Sequence, residues 1–167
     1  MEQKRIAIVR IQGGVRIHST VKDTLNMLRL YKKHTCVVVP NNPIFMGMLN
    51  KVKDFVTWGE INPEVFKQLL EKRGKLPAKK PITEAYLKEK TKLTFDKFTT
   101  EFFAFKKELK DVPGLKPFFK LCPPVKGYER KGTKKPFSLG GVLGYRKDKI
   151  NDLIVRMLWL QTKERKL

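Results

Sequence analysis

Acidic residues are scarce in this chain. Its 167 residues include 16 Asp+Glu against 37 Lys+Arg, a formal net charge of +21. Cysteine is scarcer still: Cys36 and Cys122 stand alone, with no CxxC pairing, which argues against a disulfide framework or a zinc ribbon. Cys36 lies inside an apolar run with nothing nearby to lower its pKa, so it reads as packing. His18 and His34 have no partner at ligand spacing and read as surface or turn histidines. No apolar run approaches the roughly 20 residues that a membrane span needs. The opening MEQKRIAIVR lacks a signal-peptide core. The expectation is a soluble cytosolic chain with no metal, cofactor, membrane or small-molecule substrate.

What is abundant is positive charge. Solubility alone is served by about 2–8 units of net charge, so this excess points to an acidic partner, nucleic acid before membrane. Nor is it a tail. Residues 1–62 hold ten basic against four acidic residues, 63–116 fourteen against eight, and 117–167 thirteen against four. Apolar residues still make up 41%, enough for a packed core.

The first sixty residues read as β-α-β-α-β. RIAIVRI at 5–11 alternates, with Ala7, Val9 and Ile11 on one face. A helix capped by Ser19 or Thr20 buries Val21, Leu25, Leu28 and Leu30. TCVVV at 35–39 is wholly apolar and reads as a central strand. Asn42-Pro43 opens a second helix through Ile44, Phe45, Met48, Leu49 and Val52, and DFVTWGE at 54–60 reads as a third strand. Elements this short predict a small sheet with both helices on one face. Asn62-Pro63 opens a further helix that stops at Gly74. A short helix follows Thr83, and a longer one over 94–109 carries Phe95, Phe98, Phe102 and Phe105 at core spacing rather than as base-stacking residues. Residues 118–121 suggest one more strand, and a last helix begins near Asp148.

Between them, residues 120–147 (KLCPPVKGYERKGTKKPFSLGGVLGYRK) carry eight basic residues: Lys120, Lys126, Arg130, Lys131, Lys134, Lys135, Arg146 and Lys147. Glu129 is the one acid, and five glycines and three prolines rule out a long helix. Tyr128, Phe137 and Tyr145 are interleaved among the charges. Such a loop repels itself and is expected to bury little and stay mobile alone. On RNA it gains phosphate contacts, close backbone approach and aromatic faces for bases. Gly140-Gly141-x-x-Gly144 lacks the GK[ST] of a phosphate loop, and Val142-Leu143 do not suit a basic GxxG clamp. Further RNA candidates are Arg10, Arg16, Lys51 and Lys53 near strand ends, and Trp58 beside Gly59. The basic face of the first helix adds Lys22, Arg29, Lys32 and Lys33. No paired carboxylates or nucleophile suggest catalysis, so an enzyme is not expected.

IAIVRIQGGV, VKDTLNMLRLYKKHTCVVVP and GMLNKVKDFVTWGEI closely resemble the L30 family of large-subunit ribosomal proteins. FKQLLEKRG, ITEAYL, TFDKF, FFKLCPP, KKPFSLGG and LGYRKDKINDLIVRML resemble its long archaeal form and the eukaryotic relatives. The resemblance implies an α+β fold: a β-α-β-α-β core with a small antiparallel, ferredoxin-like sheet over 1–61, and a mostly helical C-terminal subdomain with the basic Gly-rich loop over 62–167. It implies a structural role on the cytoplasmic ribosome, binding large-subunit rRNA near 5S rRNA beside neighbouring ribosomal proteins. Where relatives read RGGY after the double proline, this chain has Val125-Lys126-Gly127-Tyr128, which leaves Lys126 as the candidate replacement for that arginine.

Overall fold

The computed structural model describes residues 4–77 and 80–158. In chain order the elements are β1 (Arg5–Arg10), α1 (Ser19–Met27), β2 (Thr35–Pro40), α2 (Pro43–Val52), β3 (Val56–Glu60), α3 (Pro63–Arg73), α4 (Glu84–Thr91), α5 (Phe95–Phe103), β4 (Phe119–Lys120), β5 (Gly144–Tyr145) and α6 (Ile150–Leu158). The strands form one sheet in the order β4-β2-β1-β3-β5. β1 is flanked by antiparallel β2 and β3, and β4 pairs antiparallel with β2. β5 lies parallel to β3, so the sheet is mixed rather than wholly antiparallel. The TCVVV strand is interior, and β1 holds the centre.

Alternation along β1 separates two cores, because successive side chains point to opposite faces. Ile6 and Ile8 join Val37, Val39, Val56 and Trp58 beneath α1 and α2, through Leu25, Leu28, Leu49 and Val52. The expectation that both early helices share a face holds. Ala7, Val9 and Ile11 join Cys36 and Val38 on the other face, where α3, α5 and α6 pack with Phe66, Leu69, Phe98, Phe102, Leu153 and Ile154. The helices after residue 62 therefore cover the second face of the same sheet, and β4 and β5 extend both of its edges.

The phenylalanine stripe is core, as its spacing predicts. Phe66 and Phe102 stack at 4.3 Å with an interplanar angle of 2°. The helix carrying the stripe ends at Phe103, not Leu109, because Phe105 turns to φ 59°. Phe105 instead faces Arg5, whose guanidinium carbon sits 4.0 Å from the Phe102 ring centre and 4.2 Å from that of Phe105. The Arg5 side chain also donates to the Phe102 and Lys107 carbonyls, tying β1 to the end of α5. At α1 the N-cap is His18 rather than Ser19 or Thr20, with His18 Nδ1 3.0 Å from the Thr20 hydroxyl. Thr83 caps as expected, accepting from the Tyr86 amide, and Thr94, read as the first residue of its helix, is instead the N-cap of α5 and accepts from the Lys97 amide.

Candidate nucleic-acid interface

Strand direction decides where the basic loop goes. β1 ends at Arg10, and its antiparallel neighbours β2 and β3 begin beside it, so the connections 11–18, 28–34 and 53–55 meet at that end of the sheet. On one edge the chain leaves β4 there, with the Leu121 amide donating to the His34 carbonyl. On the opposite edge it returns there, where Gly144 pairs with Thr57. Residues 121–143 thus arch across one end of the sheet. Gln12 Nε2 donates to the Thr133 carbonyl at 3.3 Å and joins the arch to the 11–18 connection.

The arch is not the loosely packed segment that its charge suggests. Val142 and Leu143 are buried, and Arg146 is 2% exposed. Arg146 donates Nε–H to the Thr57 hydroxyl at 2.9 Å, Nη1 to Glu129 Oε1 at 2.9 Å and Nη2 to the Val142 carbonyl at 2.8 Å. Its guanidinium carbon lies 4.7 Å from the Phe137 ring centre. Glu129 also meets Arg156 Nη2 at 3.5 Å, and Arg156 Nη1 donates to the Gly127 carbonyl at 3.0 Å. Gly141 is needed where it stands: a Cβ there would lie 2.1 Å from the Lys135 carbonyl oxygen, the acceptor for the Val142 and Leu143 amides.

Three of the candidates are therefore internal rather than outward-facing. Arg146 staples the arch. Arg10, also buried, spends its guanidinium on the carbonyls of Gln12, Gly13, Leu30 and Tyr31, at 2.6–3.0 Å. Trp58 is 6% exposed and packs in the α1–α2 core. Gly59 does permit a close approach, but by the protein itself: a Cβ there would lie 2.0 Å from the Lys147 carbonyl oxygen.

The remaining cations face outward. Arg16, Lys32, Lys33 and Lys53 lie on connections at the arch end, Lys120 begins the arch, and Lys126, Arg130, Lys131, Lys134 and Lys135 stud it, all exposed. Lys22, on the first turn of α1, and Lys51, on the last turn of α2, are exposed as well, and so is Lys147 just past β5. Arg29 sits apart, half-buried in a groove of about 350 Å³ that it shares with Arg5, Met27, Val39 and Phe102. Among the described residues, Arg146 is the one candidate cation engaged in an ion pair. Unpaired exposed cations on connected loops can take phosphate oxygens without first breaking an internal bridge.

The two candidate tyrosines behave differently. Tyr128 is half-buried, with its ring 6.4 Å from that of His34. Burial, helped by the Glu129 carboxylate, pushes its pKa up to about 12. The imidazole of His34 is pushed the other way, first by burial and then by Lys33. Tyr145 is exposed and donates to Glu60 Oε1 at 2.8 Å; desolvation and that carboxylate raise its pKa to about 12, so it stays a donor. Sequence reasoning missed Glu129, Arg156 and Glu60. The signal available was Glu129, a lone acid inside a basic stretch and so an attractive partner for a cation.

Among the described residues no group of three or more His, Cys, Asp or Glu side chains is placed to hold a metal. No described helix is long and apolar enough to cross a membrane.

Residues 6–56 match the family of ribosomal protein L30p/L7e. The chain is 46% identical over 149 residues to the large ribosomal subunit protein uL30 of Methanopyrus kandleri, covering 89% of this chain and all of that protein. The uL30 protein of Methanococcus maripaludis strain C5 is 47% identical over 152 residues, 91% of this chain and 98% of its own length. That of Nanoarchaeum equitans is 43% identical over 91% of this chain and 97% of its own. Agreement at this level, running through the arch and the helices around it, leaves one conclusion: the chain belongs to the ribosomal protein L30p/L7e family, whose members are structural ribosomal proteins rather than enzymes.

Proposed function

We propose that this chain is a structural constituent of the large ribosomal subunit in the cytoplasm, where it binds and stabilises large-subunit rRNA. The observation that carries the reading is the arch, which gathers Arg16, Lys32, Lys33 and Lys53 with the five cations at 126–135 onto one end of the sheet, largely free of internal partners. Lys22, Lys51, Lys120 and Lys147 extend this surface, with Tyr145 as an exposed aromatic. Arg10, Arg146, Trp58 and Tyr128 shape the surface from inside. Lys126, at φ 63° on an exposed turn, stands one position beyond Val125, which occupies the place of the relatives' arginine, and its ammonium is the candidate replacement for that charge. A position near 5S rRNA, beside other large-subunit proteins, follows from the family resemblance.

The division at residue 61 belongs to the same proposal: 1–61 as the L30-type core module, 62–167 as the C-terminal extension that supplies the second helical layer and the arch. Crosslinking the chain within assembled large subunits and mapping the linked nucleotides tests the placement. Links from arch lysines to large-subunit rRNA near 5S rRNA are expected. Links confined to proteins would overturn it.

A further inference from the structure

A second feature lies on the α2 side of the sheet, away from the arch. Ile6, Asn41, Met46, Trp58, Glu60 and Tyr145 line a cavity of about 230 Å³. That is below the roughly 300–1,000 Å³ typical of sites for drug-sized ligands, and it suits a single planar ring system. Two aromatic rings bound it: the Trp58 and Tyr145 ring centres are 6.5 Å apart at an interplanar angle of 36°. Trp58 is 6% exposed and forms the floor, whereas Tyr145 is 46% exposed and forms an accessible wall. The Tyr145 hydroxyl is fixed by donating to Glu60 Oε1 at 2.8 Å, which locks ring and carboxylate together. The Trp58 indole N–H is shielded from solvent and has no acceptor among the described residues.

A carboxylate is out of place on a chain of this charge if the surface meets only phosphates, since it repels them. It is in place if it meets a base. We propose that this cavity receives one unstacked RNA base, held against Tyr145 over Trp58, with Glu60 reading guanine. Single-stranded RNA is recognised by splaying bases onto aromatic side chains and bonding their Watson–Crick edges. Guanine offers two adjacent N–H donors on that edge, which a carboxylate accepts together. Adenine and cytosine place a lone pair beside their amino group, facing the carboxylate with a repulsive partner, and uracil offers one donor. The exposed Lys147, two residues beyond Tyr145, supplies a cation for the flanking phosphate.

This inference rests on the RNA-binding reading, and the test separates the two. The hexamers rUUGUUU, rUUAUUU, rUUCUUU and rUUUUUU are titrated into the full chain at about 100 mM salt, following the indole N–H resonances, with Trp159→Phe assigning that of Trp58. The G-containing hexamer is expected to bind about ten-fold more tightly than the others, the discrimination of one good bidentate contact, and to move the Trp58 resonance. Glu60→Gln keeps an acceptor for Tyr145 and should bring the four affinities within about two-fold of one another. Equal affinities in the wild-type chain, or a bound hexamer that leaves the Trp58 resonance unmoved, overturn the base pocket while leaving RNA binding in place. Failure of every hexamer to bind even at about 20 mM salt counts against both readings.

Discussion

Arg146 offers a way to separate a residue that builds the RNA surface from one that touches RNA. Its guanidinium makes three hydrogen bonds within 2.9 Å, to Thr57, Glu129 and Val142, with the side chain almost fully enclosed. Lysine keeps the charge but cannot reproduce a planar fork with three differently directed donors. Arg146→Lys therefore leaves the Val142 carbonyl and the Glu129 carboxylate short of partners in a buried site. Leaving those acceptors short of partners costs about 1–3 kcal/mol, a sizeable share of the roughly 5–15 kcal/mol of a whole domain. With a urea slope of about 2 kcal/mol per molar, the unfolding midpoint should fall by roughly 0.5–1.5 M. In the folded variant the Val142 and Leu143 amides, bound to the Lys135 carbonyl, should also lose exchange protection before the sheet does. Since the charge count is unchanged, the salt dependence of RNA binding should keep its slope while affinity drops. A midpoint within about 0.3 M of wild type would refute the staple and reopen a direct phosphate role.

Glycine substitutions divide sharply. Gly59→Ala drives a methyl to 2.0 Å from the Lys147 carbonyl oxygen and should cost about 1–3 kcal/mol or more, whereas Gly47→Ala, in α2 with nothing within 4 Å, should gain about 0.5–1 kcal/mol; thermal melts read both. A fragment ending at residue 61 leaves the Ala7, Val9, Ile11, Cys36 and Val38 face uncovered, so it should associate or fail to fold cooperatively; a monomer with a sharp two-state melt would contradict that. If about ten lysines and arginines meet phosphates, log affinity for rRNA fragments should fall with log salt at a slope on the order of −7 to −9, and a slope near −2 would exclude so extensive a contact. Hydrogen exchange on the free chain should find the exposed and half-buried stretch 126–134 labile and 141–146 protected; uniform protection across both would contradict the division.

Much of the core was legible in the residues themselves. Alternation in RIAIVRI separates Ile6 and Ile8 from Ala7 and Val9, and the structure places a different helical layer on each set. The 95-98-102 spacing announces a buried helix face in the same way. β5 was not legible. It is two residues long, and its partner Thr57 is 87 positions away, so no local pattern marks it. The end of α5 escaped because nothing in Ala104-Phe105 forbids helix. Phe105 leaves it to lie against Arg5, a contact that only tertiary structure supplies. For the interface, the location of the charge was readable but the role of each cation was not. Arg10 and Arg146 look like their exposed neighbours in sequence, and they differ because acceptors from other segments converge on them: the Leu30 and Tyr31 carbonyls on Arg10, the Thr57 hydroxyl and the Glu129 carboxylate on Arg146. The looseness expected of residues 120–147 fails for that reason: one enclosed arginine organises its closing half.

Among the described residues every buried cation is an arginine: Arg5, Arg10, Arg73 and Arg146. The exposed cations of the arch and its neighbours are mostly lysines. A guanidinium is weakly hydrated and donates in a fixed fork, so it tolerates enclosure, while an ammonium holds its water and stays outside. The two chemistries have sorted by task, and covalent modification would read them apart. Acetylating the lysines would erase the outer charge and leave the scaffold standing, while blocking the enclosed guanidinium groups would require the scaffold to open first. The chain could therefore be silenced toward a polyanion without being unfolded.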